Sequence, residues 1–279
     1  MAPAMPYDEI GYWSEVKLDI VRDYAAEYSK ILSAQKFPAL YHVYIDAFAG
    51  AGQHISRATG GFVPGSPLNA LSVDPPFKEY HFIDLNRAKL ASLAEIAQGS
   101  KNVHIHEGDC NEILLDKIFP EVSYEQYRRG LCLLDPYGLH LNWNVIATAG
   151  AMKSLEVFLN FPIADMNRNV LWRDPAKVDW SQRERLNRFW GDETWKNSAY
   201  SSQPGLFGDI EEKTSNKEIV DAFRKRLLEV AGFRFVPEPV PMMNSQNAVI
   251  YYLFFASQKP IAEKIVSAIF SKYSERKHA

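Results

Sequence analysis

The chain has 279 residues, 47% of them hydrophobic, a formal charge of −3 and only two cysteines, Cys110 and Cys132. That length buries a full core, and the small acidic balance excludes a global basic field of the kind that drives non-specific nucleic-acid binding, so any polyanion contact must be local. Two cysteines are too few for a disulfide framework or a self-contained zinc site, which fits a reducing cytosol and leads to the expectation of a cytoplasmic location.

The first residues, Met-Ala-Pro-Ala-Met-Pro, lack a basic n-region and an apolar h-region, and no apolar run reaches the roughly 20 residues of a membrane helix. Residues 14–34 place Val16, Ile20, Val21, Tyr24, Tyr28, Ile31 and Leu32 at helical spacing, which predicts an amphipathic helix opened by Ser14, with Lys17 just inside, and ended by Phe37-Pro38. Residues 41–52 read as a strand that ends at Asp46 and breaks into a loop with Phe48, Ala49, Gly50 and Gly52. Two glycines remove side chains that would hold a ligand off the backbone, and the acid favours a cationic or hydroxyl-rich group. A tight turn without a ligand is the competing reading. A dinucleotide fingerprint would need a third glycine at position 55, which is Ile55. Residues 53–65, rich in Gly, Ser and Thr, form either a lid or an ordinary surface loop, and Gly65-Ser66-Pro67-Leu68 opens a helix to about Val73.

A second strand, 80–84, ends at Asp84 with Leu85 beside it and precedes a helix over 86–97. Asp84 can accept hydrogen bonds from ribose hydroxyls, and it can also cap the helix. A third strand ends in Gly108-Asp109-Cys110, where the Asp109 side chain can accept an adenine amine and the Cys110 N–H can meet a ring nitrogen. His104 and His106 share one face of that strand with no third ligand nearby, so they read as solvated or hydrogen-bonded histidines. The apolar run 131–134 ends in Asp135-Pro136-Tyr137-Gly138 and leads into a helix over 142–151. These repeated β/α units predict a largely parallel sheet, with Asp46, Asp84, Asp109 and Asp135 together at the carboxyl ends of its strands.

A fifth strand, 154–161, closes on Asn160-Phe161-Pro162. Residues 163–213 change composition and are expected to form a helical insertion, carrying Trp172, Trp180, Trp190 and Trp195 among several arginines. Tryptophan beside arginine suits a nucleic-acid or nucleotide surface, whereas the helical spacing of Trp180 and Trp190 suits a small core, with Arg168, Trp172 and Asn160 the substrate-binding candidates. A helix over 216–231 capped by Asn216, strands at 233–240 and 248–256, and a helix over 260–273 complete the chain, read as one domain.

The Asp46-to-Gly52 loop resembles motif I of class I S-adenosylmethionine-dependent methyltransferases, and Asp135-Pro136-Tyr137-Gly138 resembles motif IV of enzymes that methylate exocyclic amines of nucleobases. An aromatic amine is a poor nucleophile until an acceptor takes its N–H hydrogens. Asp135 and the Pro136 carbonyl supply such acceptors, Tyr137 can stack on the base, and no metal is needed. The third position departs from the Asp-Pro-Pro-Tyr form of adenine methyltransferases and is closer to guanine N2 methyltransferases of tRNA. Most of the chain resembles the three-Cys-motif partner protein family. That resemblance implies an α/β, Rossmann-like class I methyltransferase fold, with a seven-stranded, mostly parallel sheet and one antiparallel strand. It further implies S-adenosyl-L-methionine as cofactor and a separately encoded radical-S-adenosylmethionine-like protein as partner. The functions left open are a methyltransferase acting on a nucleobase amine, a cofactor-binding partner without catalysis, and an NAD-linked oxidoreductase, which Ile55 weakens.

Overall fold

Seven runs of the chain pair into one sheet: β1 (Tyr41–Asp46), β2 (Glu79–Asp84), β3 (Val103–Glu107), β4 (Arg128–Leu134), β5 (Leu155–Phe161), β6 (Val240–Met243) and β7 (Val249–Ala256). The structure, a computed structural model, describes residues 7–100, 102–205 and 208–275, and the reading of the first six residues lies outside them. Strand order is β6-β7-β5-β4-β1-β2-β3. The first five strands run parallel, and β7 enters antiparallel to β5, with Leu253 opposite Asn160. This is the seven-stranded order of the Rossmann-like class I methyltransferase fold expected from the sequence. The central strands β1, β4 and β5 are apolar along both faces because helices cover both, as parallel strands require.

The helices are α1 (Tyr12–Ala34), α2 (Ser66–Leu71), α3 (Arg87–Ile96), α4 (Cys110–Ile113), α5 (Trp143–Met152), α6 (Ile163–Asn169), α7 (Trp180–Trp190), α8 (Trp195–Ala199), α9 (Asn216–Glu229) and α10 (Pro260–Glu275). One core packs Val16, Tyr24, Leu93 and Val266 of α1, α3 and α10 against Tyr44, Phe82 and Phe255. On the other face Ile146, Phe223 and Leu227 of α5 and α9 meet Ile45, Leu134 and Phe161. Burial at about 25 cal/mol per Å² of apolar surface on both faces fixes the register of every strand.

Several local expectations change. Helix α1 begins at Tyr12, because Ser14 N–H donates to the Gly11 carbonyl at 3.0 Å and Ser14 is therefore already inside the first turn. Helix α9 is capped by Ser215 in a reciprocal pair with Glu218, so Asn216 is its first residue and not its cap. Residues 233–239 are not a strand: Pro237 and Pro239 have no N–H to donate, and β6 starts only at Val240, on the sheet edge where Pro241 is tolerated. The stretch 53–65 is a hairpin of strands Gln53–Ser56 and Phe62–Pro64, with Asp8–Ile10 added in parallel. The described residues of 163–213 hold three α-helices, a single 3-10 turn at Pro175–Lys177 and also an antiparallel pair, Tyr200–Gly205 with Gly208–Lys213. Trp190 is core there, but Trp180 is 73% exposed, because it opens α7 beside its Asp179 cap while Leu186, Phe189 and Trp190 form the buried face.

Candidate functional site

A cleft of about 290 Å³ opens over the carboxyl ends of β1, β4 and β5. Its walls include Phe48, Ala49 and Gly50 from the loop after β1, Asp135, Pro136 and Tyr137 after β4, and Asn160 and Arg168 from β5 and α6. Ser14 and Lys17 of α1, His54 of the hairpin and Tyr251 of β7 close it. Ligands collect at this place in parallel sheets because the loops diverge there and leave a crevice.

The loop after β1 is shaped by its own backbone. Ala47 N–H donates to Leu133 O at 3.0 Å and Ala49 N–H to Ile83 O at 2.9 Å, which ties the turn to both neighbouring strands. Gly50 has φ +61° and only open space where a Cβ would point, so the main chain itself faces the cleft. Gly52 does something different: a Cβ there would lie 2.9 Å from Leu93 Cδ1, so this glycine lets the loop pack on α3 and is not part of the cleft wall. Asp46 is likewise beneath the loop and fully buried, its Oδ1 accepting from Phe48 N–H at 3.1 Å. Burial pushes its carboxyl up to about 7, against the lowering effect of Ser66 and the Phe48 N–H.

Asp135 forms an ion pair with Lys17, a lysine only 8% exposed. Burial pulls the Lys17 ammonium down, but Asp135 and the neighbouring charges outweigh it and the net shift is upward, so Lys17 is a fixed cation in the cleft. Its Nζ lies 5.4 Å from the centre of the Tyr251 ring. Pro136 O accepts from Asn160 Nδ2 at 3.3 Å, which turns Asn160 Oδ1 the other way; that oxygen is buried with no hydrogen-bond partner. Tyr137 stands at the rim, 76% exposed, its hydroxyl donating to Asp8 Oδ2 at 3.0 Å. Lys89 pairs with the same oxygen at 2.5 Å. His54 holds a buried, unpartnered Nδ1, and burial lowers its pKa, so its ring is neutral at pH 7.

Asp84, Leu85, Asp109 and Cys110 do not line this cleft; they form a shelf beside it over β2 and β3. Asp84 Oδ2 accepts from Gly50 N–H at 2.9 Å and joins shelf to loop. Asp84 does not cap α3: Asn86 does, accepting from Ala88 and Lys89 N–H at 3.0 and 3.2 Å. Leu85 is 74% exposed and offers an apolar face next to that carboxylate. Asp109 caps α4 through Asn111 N–H at 2.8 Å, and the Cys110 thiol is buried and pushed up to about 12, so the sulfur is inert. Trp172 falls outside the cleft wall, its Nε1–H donating to Arg168 O at 2.8 Å. The site residues missed in the sequence are Lys17 in its role, His54, Tyr251 and Asp8. The one available signal was a lysine on the apolar face of α1, in step with Ile20, Val21 and Tyr24.

No family model matches the chain, and neither does any curated protein. Solved structures do. The chain aligns with a Legionella pneumophila protein described by the family model DUF519 at 11% identity and TM-score 0.53, over 92% of each chain. The shared property is the fold. Looser matches are an S-adenosylmethionine-dependent methyltransferase from Clostridium acetobutylicum, with 10% identity over 86% of this chain and 91% of that one and TM-score 0.41. Another is a dimethyladenosine transferase from Plasmodium falciparum, with 13% identity over 88% and 62% and TM-score 0.43.

Proposed function

We propose that the chain binds S-adenosyl-L-methionine and transfers its methyl group to an amine nitrogen of a nucleobase, in nucleic acid or a free nucleotide. The supporting observation is that the exposed backbone of Gly50 and the acceptors of Asp135, Pro136 and Asn160 share one cleft, with a buried Asn160 oxygen still lacking a partner. A buried acceptor without a partner costs about 1–3 kcal/mol, so its persistence in a cleft favours a ligand N–H as the missing donor.

The residues present fit the cofactor. Lys17 offers a cation to its carboxylate, Asp84 offers acceptors to its ribose hydroxyls, and Leu85 and Asp109 flank the adenine. When bound, the cofactor supplies an electrophilic methyl group on a sulfonium sulfur. Asp135 and Asn160 Oδ1 then accept the amine hydrogens, localising the nitrogen lone pair for attack while the amine proton leaves along one of those bonds. Tyr137 at the rim presents a ring face on which a base can stack, and Arg168 a cation for phosphate. A carboxylate held by Lys17 would compete with Asp135 for that cation and leave the Asp135 oxygens to an acceptor amine.

One observation favours a second reading. Lys17 already neutralises Asp135, an arrangement suited to a cofactor-binding partner of a three-cysteine, radical-S-adenosylmethionine-like protein that does the chemistry itself. Titration with S-adenosylhomocysteine tests the cofactor, and mass spectrometry of nucleosides from cells with and without the protein tests the acceptor. A methylated nucleoside lost with the protein and restored by the wild type, but not by Asp135→Ala, supports methyl transfer. Cofactor binding with an unchanged nucleoside profile supports the partner role.

A further inference from the structure

The opposite end of the sheet carries a second, smaller cavity of about 150 Å³ that the proposed chemistry does not use. It lies where β4 and β5 begin and β7 ends, between the start of α10 and the C-terminal end of α1. Leu32 and Leu40 form its apolar side. Two hydroxyls in its lining are buried without a hydrogen-bond partner: Tyr28 Oη and Ser154 Oγ, on residues 6% and 2% exposed. Orphaned hydroxyls beside an open volume mark a place where something polar completes the hydrogen bonding.

The charges around the cavity say what that is. Arg129, Lys153 and Lys259 line it against one carboxyl group, Glu156. Arg129 is held rigidly, its guanidinium 3.6 Å from the Tyr124 ring centre and its Nη1 donating to the carbonyls of Tyr124 and Arg128 at 3.1 and 2.7 Å. Lys259 lies 5.6 Å from the same ring centre. These cations therefore rest on ring faces and carbonyl oxygens and keep donors to spare. Lys259 and Arg129 together hold the Tyr124 phenol below its usual range. Glu156 offsets these cations only in part: burial pushes its carboxyl up to about 7, and Tyr24 and Ser257 already donate to its oxygens. A volume near five waters is matched by a phosphate group with little attached.

We propose that this cavity is a binding site for a compact phosphate dianion, inorganic phosphate or a small phosphate monoester, held by Arg129, Lys153 and Lys259 with Tyr28 and Ser154 donating from beneath. A tetrahedral dianion takes the free donors of three cations and two hydroxyls at once, which a planar monoanion cannot.

Calorimetric titration of the full chain with inorganic phosphate, in a phosphate-free buffer at constant ionic strength, tests this, with glycerol phosphate as a parallel arm. Saturable binding of one phosphate per chain is expected, weakened about tenfold or more by Lys259→Met, whose exposed side chain is not needed for folding. Ser154→Val, which removes a donor from the cavity floor, weakens it as well. Tighter binding of glycerol phosphate identifies an ester as the natural ligand, and equal or weaker binding identifies the inorganic ion. Absence of saturable binding at millimolar phosphate, an equal response to acetate, or unchanged affinity in both variants overturns the proposal. Cooperative thermal unfolding of each variant, followed by circular dichroism, reports that it is folded, and the result is independent of whether the cleft binds the cofactor or catalyses methyl transfer.

Discussion

At the β2 and β3 side of the sheet, Glu79 accepts from Arg128, lies 3.0 Å from His81 Nε2 and 3.4 Å from His104 Nε2, while His81 Nδ1 is 3.1 Å from His106. Over the carboxyl ends of β1, β4 and β5, Asn160 Oδ1 and His54 Nδ1 are enclosed without partners, and Lys17 and Asp135 face each other in an open cleft. Both regions bury polar groups within one fold. The first pairs its carboxylate and imidazoles with one another, leaving the Arg128 Nε without a partner, and so mainly holds structure together; the second keeps acceptors free beside an open volume and has capacity for a molecule from outside.

The comparison breaks most visibly at Asp135. Asp135→Ala is expected to lower methyl transfer on the order of 100-fold or more while S-adenosylhomocysteine still binds, read by product mass spectrometry beside calorimetry. Unaltered turnover would remove Asp135 from the chemistry. Gly50→Val comes next: a β-branched residue at φ +61° costs roughly 1–2 kcal/mol and puts side chain into the cleft, so cofactor affinity should drop about tenfold or more. Lys17→Met should weaken S-adenosylhomocysteine binding by about tenfold and, by leaving Asp135 without its partner, lower unfolding free energy by up to about 3 kcal/mol. If the loss of stability appears without the loss of affinity, Lys17 belongs with the self-satisfied network and not with the site.

The smallest effect is set by pH. Asp46 has its folded pKa raised from 3.8 to about 7, so the folded state holds a proton that the unfolded chain has released; its contribution is favourable below that range and is lost as pH rises through about 7. His42 runs the other way. Its folded pKa is depressed from 6.5 to about 4 by burial, so its contribution is present above 6.5 and lost as pH falls toward 4. Asp46→Asn keeps the acceptor for Phe48 N–H and removes the ionisation, so its stability relative to wild type should be greater at pH 8 than at pH 5, by urea denaturation. Equal gains at both pH values would show that Asp46 is not the titrating group.

Much of the sheet was legible because burial on both faces leaves a local signature. The runs ending at Asp46, Asp84 and Asp135 are apolar, short and followed by turn residues, and each became a strand within a few residues of its predicted bounds. Where local chemistry competes, the bounds slipped: Pro237 and Pro239 broke the apolar run before Val240 that read as a strand, and Ser215 outcompeted Asn216 as cap because Glu218 lies three residues on. Trp180 misled by the same route, since helical spacing shows which residues share a face but not which end of the face reaches the core.

By itself, the sequence determined the parallel sheet, the glycine loop at the end of its first strand and the Asp-Pro-Tyr-Gly turn at the end of its fourth, because each is written in a few consecutive residues. Only the tertiary structure decided that Gly50 faces the cleft while Gly52 faces α3, that Asn160 braces Pro136, and that Lys17 meets Asp135 across 118 positions of chain. Periodicity records how deeply a residue is buried. Which charge it is buried against depends on how distant elements dock, and no local pattern encodes that.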